Sequence, residues 1–190
     1  MSSGILSGIL PDHQILRAAF EGLISIDPFD EQRIQPASYD LTLHSEALRV
    51  VGDSTKVDLR TTTPANYMEK VTIEDGYLLC PGACLLTSTL ESINLSPSIV
   101  ARVEGKSTLG RLFLSVHITA GFIDPGWNGR ITLEIVNHGP LTIVLWPGMK
   151  IAQLSFMRMS SESQVPYGSP KLGSHYQNQV GAAAAAKWGL

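Results

Sequence analysis

Cysteine is scarce in this chain: Cys80 and Cys84 are the only two among 190 residues. A zinc centre needs three or four ligands, and no Cys/His pair elsewhere stands at a usual spacing to complete C-x3-C. Two thiols also make no disulfide framework, so they read as ordinary strand-end thiols suited to a reducing cytoplasm. Charge is low as well, with 16% Asp, Glu, Lys and Arg and a formal net charge of −3. That excludes the basic footprint of sequence-independent nucleic-acid binding. Aromatic residues make up 7%, too few for a row of base-stacking platforms. The apolar N-terminal run "MSSGILSGILPDHQILRAAF" has no basic residues ahead of it and is interrupted by Asp12 and His13. It is neither a signal peptide nor a membrane span, and a soluble, cytoplasmic protein is expected. A small anion gripped by a few local cations remains an admissible partner.

What is present is a β-rich chain. Hydrophobic residues reach 44%, which argues against disorder and for one compact domain over residues 1–190. Pro11 to Gly22 reads as a short helix: Asp12 can cap it, Ile15, Leu16, Ala19 and Phe20 fall at helical spacing, and Gly22 stops it. Beyond it come short β-rich runs: "YDLTLH", "LRVV", "KVDL", "EKVTI", "GYLLC", "ACLLTSTLESINL", "IVARVEG", "LFLSVHIT", "GRITLEIVNH", "LTIVL" and "KIAQLSFMRM". Gly, Pro, Asn, Asp and Ser punctuate them at short intervals, as in an all-β barrel or sandwich. No solenoid-type repeat and no domain linker interrupts the pattern. From Ser160 strand character is lost. The tail, residues 160–190, either frays or folds over a site, and its alanine-rich end is either a short helix or disordered.

Two segments carry candidate chemistry. "VEGKSTLGR", Val103 to Arg111, crowds donors behind a strand: Lys106, Ser107, Thr108, the glycines and Arg111. Glycine lets backbone approach a ligand closely and cations hold phosphate oxygens, although such a turn is also a common loop. It is not a P-loop, because the glycine spacing and residue order differ. In "HITAGFIDPGWNGRITLEI", Asp124 precedes a Pro-Gly turn, where Asp often serves only local amides. The alternation of "RITLEIV" puts Thr132, Glu134 and Val136 on one strand face and Ile131, Leu133 and Ile135 on the other. Glu134 then points at solvent or at a pocket.

Taken in order, "ASYDL", "GKSTLGR", "GFIDPGWNG" and "GMKIAQL" resemble the motifs of the dUTPase superfamily, and more closely its dCTP deaminase branch. "ITLEI", "LWPGMKIAQL", "PYGS" and "YQNQ" extend the resemblance from about Ile5 to Gly181. It implies a distorted, jelly-roll-like β-barrel of the dUTPase type with a short N-terminal helix, working as a homotrimer with sites between subunits. It also implies deamination without zinc, in keeping with the missing H-x-E…P-C-x-x-C arrangement of zinc deaminases.

By this resemblance Glu134 is the general base and acid for a water attacking C4 of cytosine. Ser107 and the backbone of Ala120 position that water, and Arg111 orients the catalytic group and stabilises charge. Lys106 to Arg111, with Thr108, Leu109 and Gly110, match the phosphate-binding loop. Asp124 matches the ligand of the deoxyribose 3′-hydroxyl. Thr132, Leu133 and Glu134 line the base, and Gln153, Tyr167 and Gln179 match nucleotide contacts. His175 stands where the family usually has Lys, so its charge toward phosphate appears only as pH falls to about 6.5. The tail from Tyr167 to Gln179 is expected to close over the nucleotide.

The Gly121-Phe122 pair resembles the bifunctional, dUMP-forming branch, whereas deaminases that stop at dUTP tend to carry His-Arg here. The implied reaction is dCTP plus two waters giving dUMP, ammonia and diphosphate, with Mg2+ on the triphosphate. Three alternatives stand beside it: a deaminase releasing dUTP, a plain dUTPase, and a regulator that binds dCTP or dTTP without turnover. Inhibition by dTTP is a further family expectation.

Overall fold

The computed structural model describes residues 8–52, 56–58 and 60–186. In chain order its elements are β1 (Gly8–Ile9), α1 (Asp12–Phe20), β2 (Ile24–Asp27), β3 (Ile34–Gln35), β4 (Ser38–Val50) and β5 (Met68–Thr72). There follow β6 (Tyr77–Leu79), β7 (Cys84–Leu95), β8 (Ile99–Gly105), α2 (Ser107–Gly110), β9 (Leu114–Ser115) and β10 (Phe122–Ile123). The set closes with β11 (Asn128–Asn137), β12 (Ile143–Leu145) and β13 (Lys150–Arg158).

One 11-stranded sheet has the main path β10-β8-β13-β4-β7-β11-β9, with β1 added on β13, β2 on β7 and both β3 and β5 on β4, and β6 and β12 form a separate pair. The large sheet curls because β4 serves two layers. Its first residues, Tyr39 to Thr42, pair with β13, while Leu43 to Leu48 pair with β7 across a register break between Leu43 and Ala47. A strand that changes partners at such an irregularity turns a corner and lets a sheet fold back on itself. The all-β barrel expected from the strand runs is therefore present, short N-terminal helix included.

Alternation along the strands builds the interior. Ile131, Leu133 and Ile135 of β11 are buried, as are Tyr39, Leu41 and Leu43 of β4 and Ile151, Leu154 and Phe156 of β13. Each such side chain contributes about 1.5–3 kcal/mol by leaving water.

Local expectations were corrected in several places. Pro11 rather than Asp12 is the helix N-cap, and the Asp12 carboxylate accepts from the His13 N–H at 2.7 Å. A proline there needs no N–H partner and has its φ preset. The helix buries Ile15 and Ala18, while Phe20 is left exposed. "YDLTLH" and "LRVV" are one continuous strand, β4. Lys56, Val57 and Asp58 of "KVDL" form no strand, and Leu59 lies outside the described residues. "LFLSVHIT" shrinks to Leu114–Ser115, because only these residues find a partner, on β11. Gly181 to Ala186 adopt no helix: the Ala183 N–H donates to Thr132 of the barrel and the Ala186 N–H to the Tyr176 hydroxyl of the tail, and residues 187–190 lie outside the described set. Cys80 and Cys84 are free and exposed. Among the described residues no helix is long and apolar enough to cross a membrane.

Candidate active site

The outward face of β11 forms the floor of a cavity of about 380 Å3. Thr132 and Glu134 point into it, and Ala120, Phe122, Asp124 and Trp127 close one side. The tail closes the other side with Tyr167, Tyr176, Gln179 and Ala183. The floor is exposed because β11 buries its odd-numbered side chains. Leu133 is accordingly fully buried on the opposite face, so it offers a ligand only its backbone.

Glu134 is oriented by backbone: its Oε2 accepts from the Ile118 N–H at 2.9 Å. No described residue hydrogen-bonds Oε1, which leaves that oxygen for a water or substrate. Thr132 Oγ1 accepts from Gln179 Nε2 at 2.9 Å and from the Ala183 N–H at 3.3 Å. Trp127 and Tyr167 pack with their rings tilted at 42° and 5.4 Å between centroids, and the Tyr167 hydroxyl accepts from the Tyr176 N–H at 3.2 Å. These contacts lay the tail against β11, where Gln179 forms a parallel bridge to Gly129.

The donor-rich loop is elsewhere. Lys106, Ser107 and Gly110 line a second cavity of about 390 Å3, together with Gln153, His117 and Val116. Lys106 is ion-paired to the buried carboxylate of Asp40, whose other oxygen meets Lys150 Nζ at 3.2 Å. Gln153 is fixed by Ser38 Oγ at 3.1 Å and donates to the Gly105 carbonyl at 3.3 Å. Arg111 is exposed and donates from Nη1 to the Ser107 carbonyl at 3.2 Å. Thr108 is exposed, while Leu109 is buried beneath the loop. His175 is exposed, edge-on to Tyr176 at 6.0 Å, and lines neither cavity.

Within one chain, then, Ser107 and Ala120 do not share a cavity, and neither do Lys106 and Glu134. The reason is topological: the loop follows β8, which pairs with β13 and β10, whereas Glu134 sits on β11 between β7 and β9. Two contributors went unnoticed in the sequence, while Tyr176, a tail side chain able to stack or hydrogen-bond, was open to notice. Trp127 and Tyr176 wall the first cavity. His117 lines the second with a buried Nδ1 that has no hydrogen-bond partner among the described residues. His117 and Trp127 lie inside the quoted central motif, which was the available signal; Tyr176 lies in "YQNQ".

A curled sheet with a carboxylate cavity and a cationic loop at separate places defines a protein of the all-β class. Residues 9–159 match the family described as dCTP deaminase-like. The chain is 46% identical over 180 residues to "dCTP deaminase, dUMP-forming" of Tropheryma whipplei (strain Twist), covering 93% of this chain and 91% of that one. It is 46% identical over 177 residues to the protein of the same name from Corynebacterium glutamicum (strain R), covering 91% and 93%. The crystal structure of 2′-deoxycytidine 5′-triphosphate deaminase from Agrobacterium tumefaciens superposes with a TM-score of 0.65 at 26% identity. That superposition covers 80% of this chain and 48% of the other, so the chain spans about half of that protein's length. The chain belongs to the dCTP deaminase-like family.

Proposed function

We propose that the protein is a dUMP-forming dCTP deaminase, converting dCTP and two waters to dUMP, ammonia and diphosphate. The observation that carries this reading is Glu134, held by the Ile118 N–H with one oxygen turned to a cavity that also presents Asp124, Thr132 and Gln179. Glu134 takes a proton from the water that adds to C4 and passes it to N3, then moves the proton of the new C4 hydroxyl to the amine, which leaves as ammonia while the C4 carbonyl forms. Asp124 accepts from the 3′-hydroxyl, and Thr132 and the Leu133 backbone face the base. Gly121-Phe122, in a chain 46% identical to dUMP-forming relatives, supports hydrolysis of the triphosphate in the same site.

The phosphate grip is read as Lys106 to Arg111, offering ammonium, hydroxyl and guanidinium groups. Asp40, the carboxylate beside Lys106, is already taken by two lysines. The donor set therefore suits phosphate oxygens, and Mg2+ enters as part of the substrate, on the triphosphate, where it neutralises charge.

Because the loop and Glu134 line separate cavities in one chain, we read the site as completed between copies in a homotrimer. Ser107, Lys106 and Arg111 of one subunit would then meet the β11 cavity of the next. Ile118 and Phe122, which are 63% and 57% exposed beside that cavity, suit such a contact. Residues 1–190 are read as one domain and 160–190 as its closing tail, in a cytoplasmic enzyme.

Two assays test the reading. Glu134→Gln is expected to fold and bind dCTP while releasing no ammonia; undiminished ammonia release overturns the assignment, and accumulation of dUTP without diphosphate by the wild type leaves the deaminase that stops at dUTP. Mixing Ser107→Ala with Glu134→Gln chains, each inert alone, is expected to restore activity in mixed trimers. No restoration would mean that the groups act within one chain.

A further inference from the structure

Gln179 and Ala183 form one wall of the β11 cavity, and their hold on the barrel converges on Arg130, a residue outside the roles assigned so far. The Arg130 N–H donates to the Gln179 carbonyl at 3.0 Å, and Gln179 Nε2 donates back to the Arg130 carbonyl at 2.5 Å. Its guanidinium donates from Nη1 to the Val180 carbonyl at 2.7 Å and from Nε to the Leu90 carbonyl of β7 at 3.1 Å. A register irregularity between Arg130 and Thr132 on β11 aims the side chain across the strands in this way. The same Nη1 lies 2.9 Å from His44 Nε2 on β4.

We infer that Arg130 is a positioning residue that holds the tail as a wall of the cavity, and that it does so only while His44 is neutral. The Glu46 N–H donates toward His44 Nδ1 at 3.1 Å, so an N–H donor faces each ring nitrogen. A neutral imidazole keeps a lone pair for one of the two, and an imidazolium has none. Protonation also sets a cation against a guanidinium that never loses its charge. The charged groups around the ring are Arg130 on β11, Glu46 on β4 itself and Glu74 just beyond β5. Lys70 on β5 lines the adjoining hollow with Glu46 and Val180, while β7 and the tail present carbonyls to Arg130.

Burial, and then the Arg130 charge, hold the His44 pKa below its ordinary 6.5, with Glu46 and Glu74 opposing. The sign follows from the shared Nη1: it reaches the Val180 carbonyl beside an uncharged ring, so the Arg130 contribution to docking is present while His44 is neutral. That contribution is lost as pH falls through the lowered value.

The effect on turnover rests on reading the cavity as the nucleotide pocket, but the docking itself does not. Hydrogen exchange of the full chain at the Asn178 and Ala183 amides, bonded to the Asn128 carbonyl and to Thr132 Oγ1, reads docking directly. As pH falls from 7.5 through the lowered His44 value, protection in the wild type is expected to fall about tenfold relative to His44→Gln, the size of one lost charge-assisted hydrogen bond. The glutamine keeps an acceptor without titrating. Arg130→Leu is expected to lose protection at every pH and Arg130→Lys to recover part of it, with Leu154 in β13 as the control for intact folding. Identical pH profiles for wild type and His44→Gln, or full protection in Arg130→Leu, overturn the inference. With dCTP, the ratio of wild-type to His44→Gln KM is expected to rise in acid while the kcat ratio stays flat, which cancels titration of the substrate. Exchange as expected without any turnover of dCTP would sink the proposed function and leave the tail inference standing.

Discussion

Lys106 is ion-paired to Asp40, a carboxylate with 2% of its side chain exposed. Lys150 reaches the other oxygen at 3.2 Å, so one buried charge fixes the head of the cationic loop to the β4-β13 seam. Asp40→Asn keeps the shape and leaves two ammonium groups facing a neutral amide. Both lysines retain some access to water, which lowers the cost from that of a fully buried pair to about 1–3 kcal/mol. In urea denaturation the Asp40→Asn, Lys106→Met double mutant is expected to be less destabilised than the sum of the single changes. Simple additivity would mean that the pair contributes nothing to folding.

Gly121 sits where a side chain would be crowded. A Cβ there would stand 3.0 Å from the Val103 carbonyl oxygen and 3.1 Å from His117 Cε1. The Gly121 carbonyl accepts from the Val103 N–H at 2.7 Å, which limits retreat of the backbone. Gly121→Ala is expected to cost about 1–3 kcal/mol through overpacking. Chromatography of its products from dCTP is expected to show dUTP appearing at the expense of dUMP, with ammonia release continuing. Unchanged products would remove Gly121 as the determinant of the second hydrolysis.

The face of β11 that carries Glu134 was legible in the sequence, because alternation is a local signal and the buried set Ile131, Leu133, Ile135 is unbroken. Leu133, named in the same run, turns its side chain to the core and leaves only its backbone for the pocket, because the pleat sends neighbours to opposite faces. Asp40 and Lys106 meet across 66 positions, and His44 and Arg130 across 86, separations that no local pattern encodes. Nor does periodicity tell that β4 passes from β13 to β7, since that depends on which strands compete for its edges. The alanine-rich end favours helix by propensity, but tertiary hydrogen bonds from Ala183 and Ala186 to Thr132 and Tyr176 outweigh it.

Gly126 marks where the tail meets the barrel. Its φ is +87°, and a Cβ would lie 2.6 Å from Pro166 Cβ and 3.0 Å from the Tyr167 carbonyl oxygen. Gly148, at φ +77° with nothing within 4 Å, carries the backbone strain without the contact. Both alanine substitutions are expected to cost about 1–2 kcal/mol from strain. Only Gly126→Ala is expected to push the tail away, raising KM for dCTP and speeding tryptic cleavage after the exposed Lys171. Equal cleavage rates in the two variants would show that the tail does not depend on this contact.

Glu134 and the Ile118 N–H also set how far the proposed catalytic carboxylate stands above its strand, at 2.9 Å from that donor. Glu134→Asp removes one methylene and withdraws the carboxylate by about 1.5 Å, the length of a carbon–carbon bond. The charge and the proton chemistry survive, and only position changes. A misplacement of this size costs about a hundredfold in rate where a group must meet a reacting atom. We expect kcat for ammonia release to fall by about that factor, KM to change little, and the Ile118 amide to exchange faster. A variant that turns over like the wild type would show that the carboxylate acts through its charge alone, with no demand on where the strand holds it.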